Sequence, residues 1–121
     1  MRIALASIVL AAPLALSPAA QAQVRADPYA KVAIQNGDYA TAERKLLAER
    51  KIFPARPEVL LNLAAVYSKT GRHAEARAIY DRVLTLDPVA MDVADGQVAP
   101  SHLVAHRGLR LLDNAARQAS R

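Results

Sequence analysis

Residues 57–90, PEVLLNLAAVYSKTGRHAEARAIYDRVLTLDPVA, decide the fold of this 121-residue chain. The first half of the stretch has apolar residues at the spacing i, i+3, i+4 and i+7, which is one face of a helix: Leu60, Leu63, Ala64 and Tyr67. Pro57 can begin this helix because the first helical position needs no backbone N–H. Gly71 can end it, since glycine readily adopts the left-handed conformation that closes a helix. The pattern predicts a helix from Pro57 to about Thr70.

A second helix is predicted in the rest of this stretch. Its apolar side has five members: Ala76, Ile79, Tyr80, Val83 and Leu84. Asp87-Pro88 ends it, because the residue before a proline avoids the helical region. The turn at Gly71 is so short that the two helices must be antiparallel, and Ala64 and Ala76 are small enough to let them approach closely.

The 34 residues before this stretch, 23–56, are a fainter copy of it. Six residues are identical between the copies when they are aligned over 34 residues: Ala30, Val32, Gly37, Ala40, Ala42 and Pro54 match Ala64, Val66, Gly71, Ala74, Ala76 and Pro88. Asp27-Pro28 is a suitable beginning for the leading helix, and Asn36-Gly37 supplies the turn. The sequence therefore predicts two helical hairpins in succession.

The two copies resemble tetratricopeptide repeats, which are helix–turn–helix units of 34 residues with small residues at fixed points, a glycine turn and a closing proline. The resemblance is to a small exported bacterial type with two repeats. It rests on these residues of the second copy: Leu60, Leu63, Ala64, Tyr67, Gly71, Ala76, Tyr80 and Pro88. In the first copy it rests on Tyr29, Ala30, Gly37, Tyr39, Ala42, Leu46 and Pro54, with Ala33 in place of an aromatic residue. It implies an all-α fold of antiparallel helical hairpins.

The resemblance also implies a binding surface, because the leading helices of such repeats line a groove that binds peptides or partner helices. The corresponding positions of the second copy are Glu58, Leu61, Asn62, Ala65, Ser68 and Lys69. Leu61 is apolar and lies off the stripe that faces inside its own repeat, which predicts contact with a partner. Some members of the family bind a C-terminal carboxylate through an asparagine like Asn62. Here Asp27 stands where a cation is needed, so we do not expect that interaction.

The C-terminal third is predicted as a loop over 91–100 and a capping helix over 101–121. Gly96 and Pro100 interrupt the loop, and Ser101 is a plausible N-cap. A terminal helix is expected because the last repeat would otherwise leave an apolar face open. Gly108 within it indicates a close contact with another helix, since glycine in a helix interior costs about 1 kcal/mol relative to alanine.

The same helix has a stripe of basic residues at steps of three and four: Arg107, Arg110, Arg117 and Arg121, with Asn114 between them. One interpretation is a contact with an anionic surface, either lipid head groups or an acidic polymer. The alternative is the solvated outer face that a terminal repeat helix requires, with Asp113 partly balancing the charge.

Residues 1–22 have the order of a secretory signal peptide. Arg2 is followed by an apolar run from Ile3 to Leu16, and Ala20-Gln21-Ala22 places small residues before a cleavage site. The alternative, a retained membrane anchor, would need about 20 apolar residues. We therefore expect export, to a bacterial periplasm by the resemblance of the Ala-Gln-Ala-Gln ending, and a soluble mature protein.

Few residues in the chain could support catalysis or cofactor binding. The absence of cysteine excludes disulfides, thiolate metal sites and a cysteine nucleophile. His102 and His106 are four residues apart on the capping helix, but no further ligand follows at a suitable spacing, so a metal-responsive protein is only a third alternative. The net charge of +5 is spread over several helices among acidic neighbours, and export argues against nucleic acid as the partner.

The sequence thus predicts a non-catalytic interaction module without a cofactor or metal. Its expected partner is another protein, bound as a peptide or helix in the groove, or a second copy of the chain. The alternative is a peripheral factor that binds an anionic surface, including a membrane surface, through the face Arg107–Arg121.

Overall fold

The computed structural model describes residues 27–93 and 96–121. The predicted signal peptide, 1–22, lies outside these residues. In chain order the elements are a 3-10 turn at Pro28–Ala30, α1 at Lys31–Gln35, α2 at Tyr39–Ile52, α3 at Pro57–Lys69, α4 at His73–Leu84, β1 at Ala90–Asp92, β2 at Val98–Pro100 and α5 at Ser101–Ala119. The helices pack in antiparallel pairs, which confirms the predicted fold class.

The second hairpin, α3 with α4, forms where the sequence predicts it. Its two apolar stripes face each other and meet α2 and α5, and most of their members are fully buried. Gly71 has φ +79°, and the N–H of Arg72 donates to the carbonyl of Tyr67 at 2.8 Å. The left-handed glycine and this bond reverse the chain, so that the two apolar faces can meet within one short turn.

The first hairpin is less regular than its copy in the sequence. Its leading segment is the 3-10 turn followed by the five-residue α1, and the two are separated by a kink at Tyr29 and Ala30. Both residues lie in the left-handed region, with φ of 60° and 56°. This conformation is strained for residues with a Cβ and persists only where surrounding contacts hold it. The leading helix predicted from Asp27-Pro28 is therefore present only as a broken segment.

Asp27 supplies one of those contacts, although not at the position that the sequence suggests. Its side chain accepts hydrogen bonds from the N–H groups of Val32 at 2.7 Å and Ala33 at 3.4 Å, so it caps α1 across the 3-10 turn. Its Oδ2 also lies 3.1 Å from the Nζ of Lys45 on α2. The carboxylate thus joins the two helices of the first hairpin.

The predicted loop 91–100 contains a short antiparallel sheet at its ends. Met91 lies opposite Ala99 and Asp92 lies opposite Val98. Met91 and Ala99 are buried while the residues on either side of them are exposed, which is the alternation of a strand with one apolar face. The alternation is only three residues long on each strand, and for that reason it is inconspicuous in the sequence.

Helix α5 covers the second hairpin, as the capping prediction requires, and Gly108 is a point of close contact. A Cβ at this position would overlap three ring carbons of Tyr80 on α4. Ser101 is not the N-cap that the sequence suggests. It is the first residue of the helix, it is fully buried, and its hydroxyl accepts a hydrogen bond from the N–H of Val89 at 3.0 Å.

The two hairpins are also joined by a bidentate ion pair. The guanidinium of Arg72 donates to both carboxylate oxygens of Glu43 on α2, at 2.7 and 2.5 Å. It also stacks over the ring of Tyr67, 4.2 Å from its centroid. These hydrogen bonds from Arg72 lower the pKa of Glu43. Within the described residues, no helix is long and apolar enough to cross a membrane.

Candidate interaction groove

A groove of about 770 Å³ lies over α3, between the N-terminal segment and the β-sheet. Helix α3 contributes Glu58, Leu61, Asn62 and Ala65. The N-terminal segment contributes Pro28, Tyr29, Lys31, Ile34 and Gln35, and the opposite side has Ala90, Met91, Asp92, Val93 and Val98. Tyr80 and Val104 complete the lining. Most of these side chains are apolar, and Lys31, Glu58 and Asp92 are the charged ones.

The groove contains four of the six predicted partner-binding residues. Glu58, Leu61, Asn62 and Ala65 line it. Ser68 and Lys69 lie about one turn beyond Ala65 on α3 and are not part of the described lining. The position of the groove on the leading helix of the second repeat therefore agrees with the resemblance. Its extent does not, because it ends before the last turn of α3.

Leu61 differs from its prediction. It is only 3% exposed and belongs to the same core cluster as Leu60 and Leu63. The position lies off the stripe that faces α4, but α3 is also in contact with α5 and with the 3-10 turn. Burial of Leu61 thus stabilises the fold, and only a small part of its surface is left to contact a partner.

Asn62 forms a structural contact with the first repeat. Its Nδ2 donates a hydrogen bond to the carbonyl of Tyr29 at 3.0 Å. This bond joins α3 to the left-handed kink of the first repeat and places the ring of Tyr29 at the edge of the groove. Together with Asp27, which is bound to α1 and Lys45, it fixes the N-terminal wall.

Tyr80 connects the groove with the core. Its ring packs against Gly108 on α5, and its side chain also borders the groove. Burial raises the pKa of the Tyr80 hydroxyl above its usual value. The side chain is therefore neutral at physiological pH, and because it is only 6% exposed, little of it is left to contact a partner.

The basic stripe lies on the exposed side of α5. Arg107, Arg110, Arg117 and Arg121 are all exposed. Asp113 does not balance them as the sequence suggests, because it forms an ion pair with Arg77 on α4. Arg117 donates instead to the side-chain oxygen of Asn114.

The two histidines of α5 are in different environments. His102 is half-buried, and its Nε2 lies 2.7 Å from the carbonyl oxygen of Leu86, whereas His106 is exposed. Across residues 27–93 and 96–121, no group of three or more His, Cys, Asp or Glu side chains is arranged to hold a metal.

Several groove residues were not identified from the sequence. Met91, Val93 and Val98 come from the segment interpreted as a loop, and Val104 from the helix interpreted only as a cap. The apolar–polar–apolar order of Met91, Asp92 and Val93 is a local signal that could have indicated a strand. Nothing local indicates that this strand borders the groove, since that depends on how α5 turns back over α3.

The model of the tetratricopeptide repeat family matches residues 33–94. This chain belongs to that family. The match covers the second hairpin completely and the first from the middle of α1, so it leaves out the kink at Tyr29 and Ala30. Neither the curated proteins nor the solved structures contain a match to the chain. Tetratricopeptide repeats generally mediate protein–protein interaction and are typically non-catalytic, which implies a protein partner for this chain.

Proposed function

We propose that this tetratricopeptide repeat protein is an exported, non-catalytic interaction module whose groove binds an apolar helix or extended segment of a partner protein. The observation that carries the proposal is the lining of the groove. Apolar side chains from three separate parts of the chain meet there: the N-terminal segment, α3 and the β-sheet. A cavity of about 770 Å³ with an apolar lining is of the size and kind that protein sites use for ligands.

The chemistry of the lining favours an apolar ligand over a charged one. The charged lining residues have mixed sign, with one cation, Lys31, and two anions, Glu58 and Asp92. Tyr29, Ile34 and Val98 are not fully buried and so retain surface that a partner could cover. Burial of apolar surface depends little on salt, whereas contacts between exposed charges are screened within about 10 Å at 0.1 M salt.

The proposed export rests on residues 1–22. Their order of one cation, an apolar run and small residues at the expected cleavage site is that of a secretory signal, and a periplasmic location follows if the source is bacterial. N-terminal sequencing of the protein recovered from the envelope fraction tests this: we expect it to begin at Gln23. An intact Met1 in a membrane fraction would contradict cleavage and favour the anchor.

Groove binding is tested by capturing partners on the tagged chain 23–121 at low and high salt and comparing two variants. Val98→Glu places a charge at the groove, and Val32→Glu places one on α1 outside it; both valines are more than half exposed, so neither variant should unfold the chain. We expect one stoichiometric protein that is retained at high salt, lost with Val98→Glu and kept with Val32→Glu. Loss with both variants, or retention only at low salt, would contradict binding in the groove.

A further inference from the structure

The outward face of α5 combines exposed leucines with exposed arginines. Leu103 is 42% and Leu111 is 63% exposed, and both project from the same side of the helix as the basic stripe. An α-helix rotates by about 100° per residue, so these leucines and arginines form a face that occupies about one third of the circumference of α5. Its members are Leu103, Arg107, Arg110, Leu111, Arg117 and Arg121, which we call the lipid face. The opposite side of α5 has Ala105, Gly108 and Leu112, and these are buried in the core.

The charge of the lipid face is not neutralised by the helix that bears it. Asp113 is the one acidic residue in 101–121, and it pairs with Arg77 on α4. Among residues 27–93 and 96–121, no salt bridge involves Arg107, Arg110, Arg117 or Arg121. The face therefore has four solvated guanidinium groups around two leucines whose apolar surface is open to water.

We infer that the lipid face of α5 lies on an anionic membrane surface, with the helix parallel to the plane of the bilayer. Guanidinium groups would bind lipid phosphates, and Leu103 and Leu111 would enter the boundary between head groups and acyl chains. The leucines distinguish a lipid surface from a soluble acidic polymer. Both would attract the arginines, but only the lipid offers an apolar layer that covers leucine side chains.

This surface is separate from the groove. Of the residues on α5, only Val104 lines the groove, and it is not a member of the lipid face. The inference consequently does not depend on the proposed partner binding. A chain that binds lipid through α5 and a protein through α3 would hold that protein close to the membrane.

The experiment measures binding of the chain 23–121 to vesicles by flotation. Every described member of the core cluster lies between Ala30 and Leu112, so the chain 23–121 retains all of them, and circular dichroism verifies the helicity of each variant. Vesicles of phosphatidylcholine alone are compared with vesicles in which one third of the lipid is phosphatidylglycerol. We expect binding to the anionic vesicles and little to the neutral ones, with a decrease as salt is raised.

Two pairs of matched variants test the face itself. Removing three arginines together, by Arg107→Gln, Arg110→Gln and Arg117→Gln, should weaken binding about a hundredfold, since each basic residue near an anionic surface contributes roughly fivefold. Removing three exposed cations elsewhere, by Arg44→Gln, Lys51→Gln and Arg82→Gln, lowers the net charge equally and should change vesicle binding much less.

The second pair of variants tests the leucines. Leu103→Ser with Leu111→Ser should weaken binding about tenfold. The similarly exposed pair on α2, Leu47→Ser with Ile52→Ser, should have little effect.

Three outcomes would overturn the inference. Equal loss with the two sets of cation variants would show that net charge, and not this face, attracts the chain to the vesicles. Equal binding to neutral and anionic vesicles would exclude recognition of phosphate groups. If the arginine variants lose binding but the leucine variants do not, and if soluble polyphosphate competes as well as anionic vesicles, the ligand is an acidic polymer and not a membrane.

Discussion

The two helical hairpins have the same glycine turn and the same closing proline, but their leading helices differ. Helix α3 has 13 residues, of which seven are buried, and it continues without interruption from its proline to its turn. The corresponding segment of the first hairpin is a 3-10 turn and a five-residue helix with a left-handed kink between them. The turn positions agree closely, with φ of +72° at Gly37 and +79° at Gly71.

Aligned positions explain the difference. Where α3 has Leu61 and Tyr67, the first copy has Asp27 and Ala33, so that its leading segment has less apolar surface to bury. Since most of the stability of a helix in a protein comes from packing its apolar face, such a segment is marginal by itself. It is held instead by polar contacts from other elements: the Asp27 cap and ion pair, and the bond from Asn62. The leading helix of the second hairpin thus depends mainly on apolar packing, whereas the leading segment of the first is held largely by a few hydrogen bonds.

Gly108→Ala is expected to have the largest effect, because it acts on the packing that only the second hairpin has. The substitution improves the intrinsic helix propensity by about 1 kcal/mol, but its Cβ would overlap the Tyr80 ring. Overpacking usually costs about 1–3 kcal/mol and occasionally more. Because the Cβ would overlap three carbons of one rigid ring, we expect a cost at the upper end of this range, which exceeds the gain in propensity. We expect a lower free energy of unfolding in urea denaturation. An unchanged or higher stability would mean that α5 is not tightly packed on α4.

The paired variants Gly37→Ala and Gly71→Ala compare the hairpins directly. Apart from the chain neighbours of each glycine, no described atom lies within 4 Å of an added Cβ at either position. Each substitution therefore causes only the backbone strain of a left-handed residue, about 1–2 kcal/mol. We expect Gly71→Ala to lower the free energy of global unfolding by that amount. Gly37→Ala should mainly increase amide hydrogen exchange in α1, with a smaller effect on global unfolding.

The contrary result for this pair is equally informative. If both variants lower the denaturation midpoint by the same amount, and exchange in α1 remains as slow as in α3, the two hairpins unfold as a single cooperative unit. The polar contacts of the first hairpin would then be as effective as the apolar packing of the second.

Asp27→Asn tests the polar contacts of the first hairpin and has the smallest expected effect. Burial by itself would raise the pKa of the Asp27 carboxyl, but the N–H of Val32 and the ammonium group of Lys45 outweigh it and lower the pKa below its ordinary value of 3.8. A lowered pKa means that the carboxylate stabilises the fold above about pH 4 and that this contribution is lost as the pH falls through the folded value.

Asp27→Asn should therefore be less stable than the parent protein by about 1 kcal/mol at pH 7. The difference in stability should vanish below the pKa that the Asp27 carboxyl has in the folded protein. Thermal unfolding of both proteins over this pH range measures it. Lys45→Gln is the control, because it removes the ion pair but leaves the cap on α1. A difference that persists at low pH would show that Asp27 acts through its shape and hydrogen bonds and not through its charge.

Much of the fold could be predicted from the sequence because it follows from local patterns. The stripes of α3 and α4 decide which faces are buried, and Gly37 and Gly71 occupy turns that few other residues could form. Gly108 is a similar case, since a glycine within a helix indicates a close neighbour. The helix itself does not indicate which neighbour, and Tyr80 is identified only by the packing of α5 on α4.

The candidate site could be predicted less well. Leu61 and Asn62 both lie on the predicted groove side of α3. However, Leu61 is buried in the core, and Asn62 holds Tyr29. Both depend on a segment that is distant in the sequence. The wall formed by Met91, Val93 and Val98 could not be predicted for a different reason: strands of three residues are too short to produce a clear pattern.

The sequence by itself determined the repeat, its turns and the hairpin of α3 and α4, since spacing and backbone preference act over a few residues. The tertiary structure decided the kink at Tyr29, the strands over Ala90–Pro100, the burial of Leu61 and the walls of the groove. Several of these features depend on contacts between residues far apart in the chain, such as Asn62 with Tyr29, 33 positions away. The strands pair over a shorter distance, Met91 with Ala99. Their free energy comes from surfaces that meet only after the helices have packed.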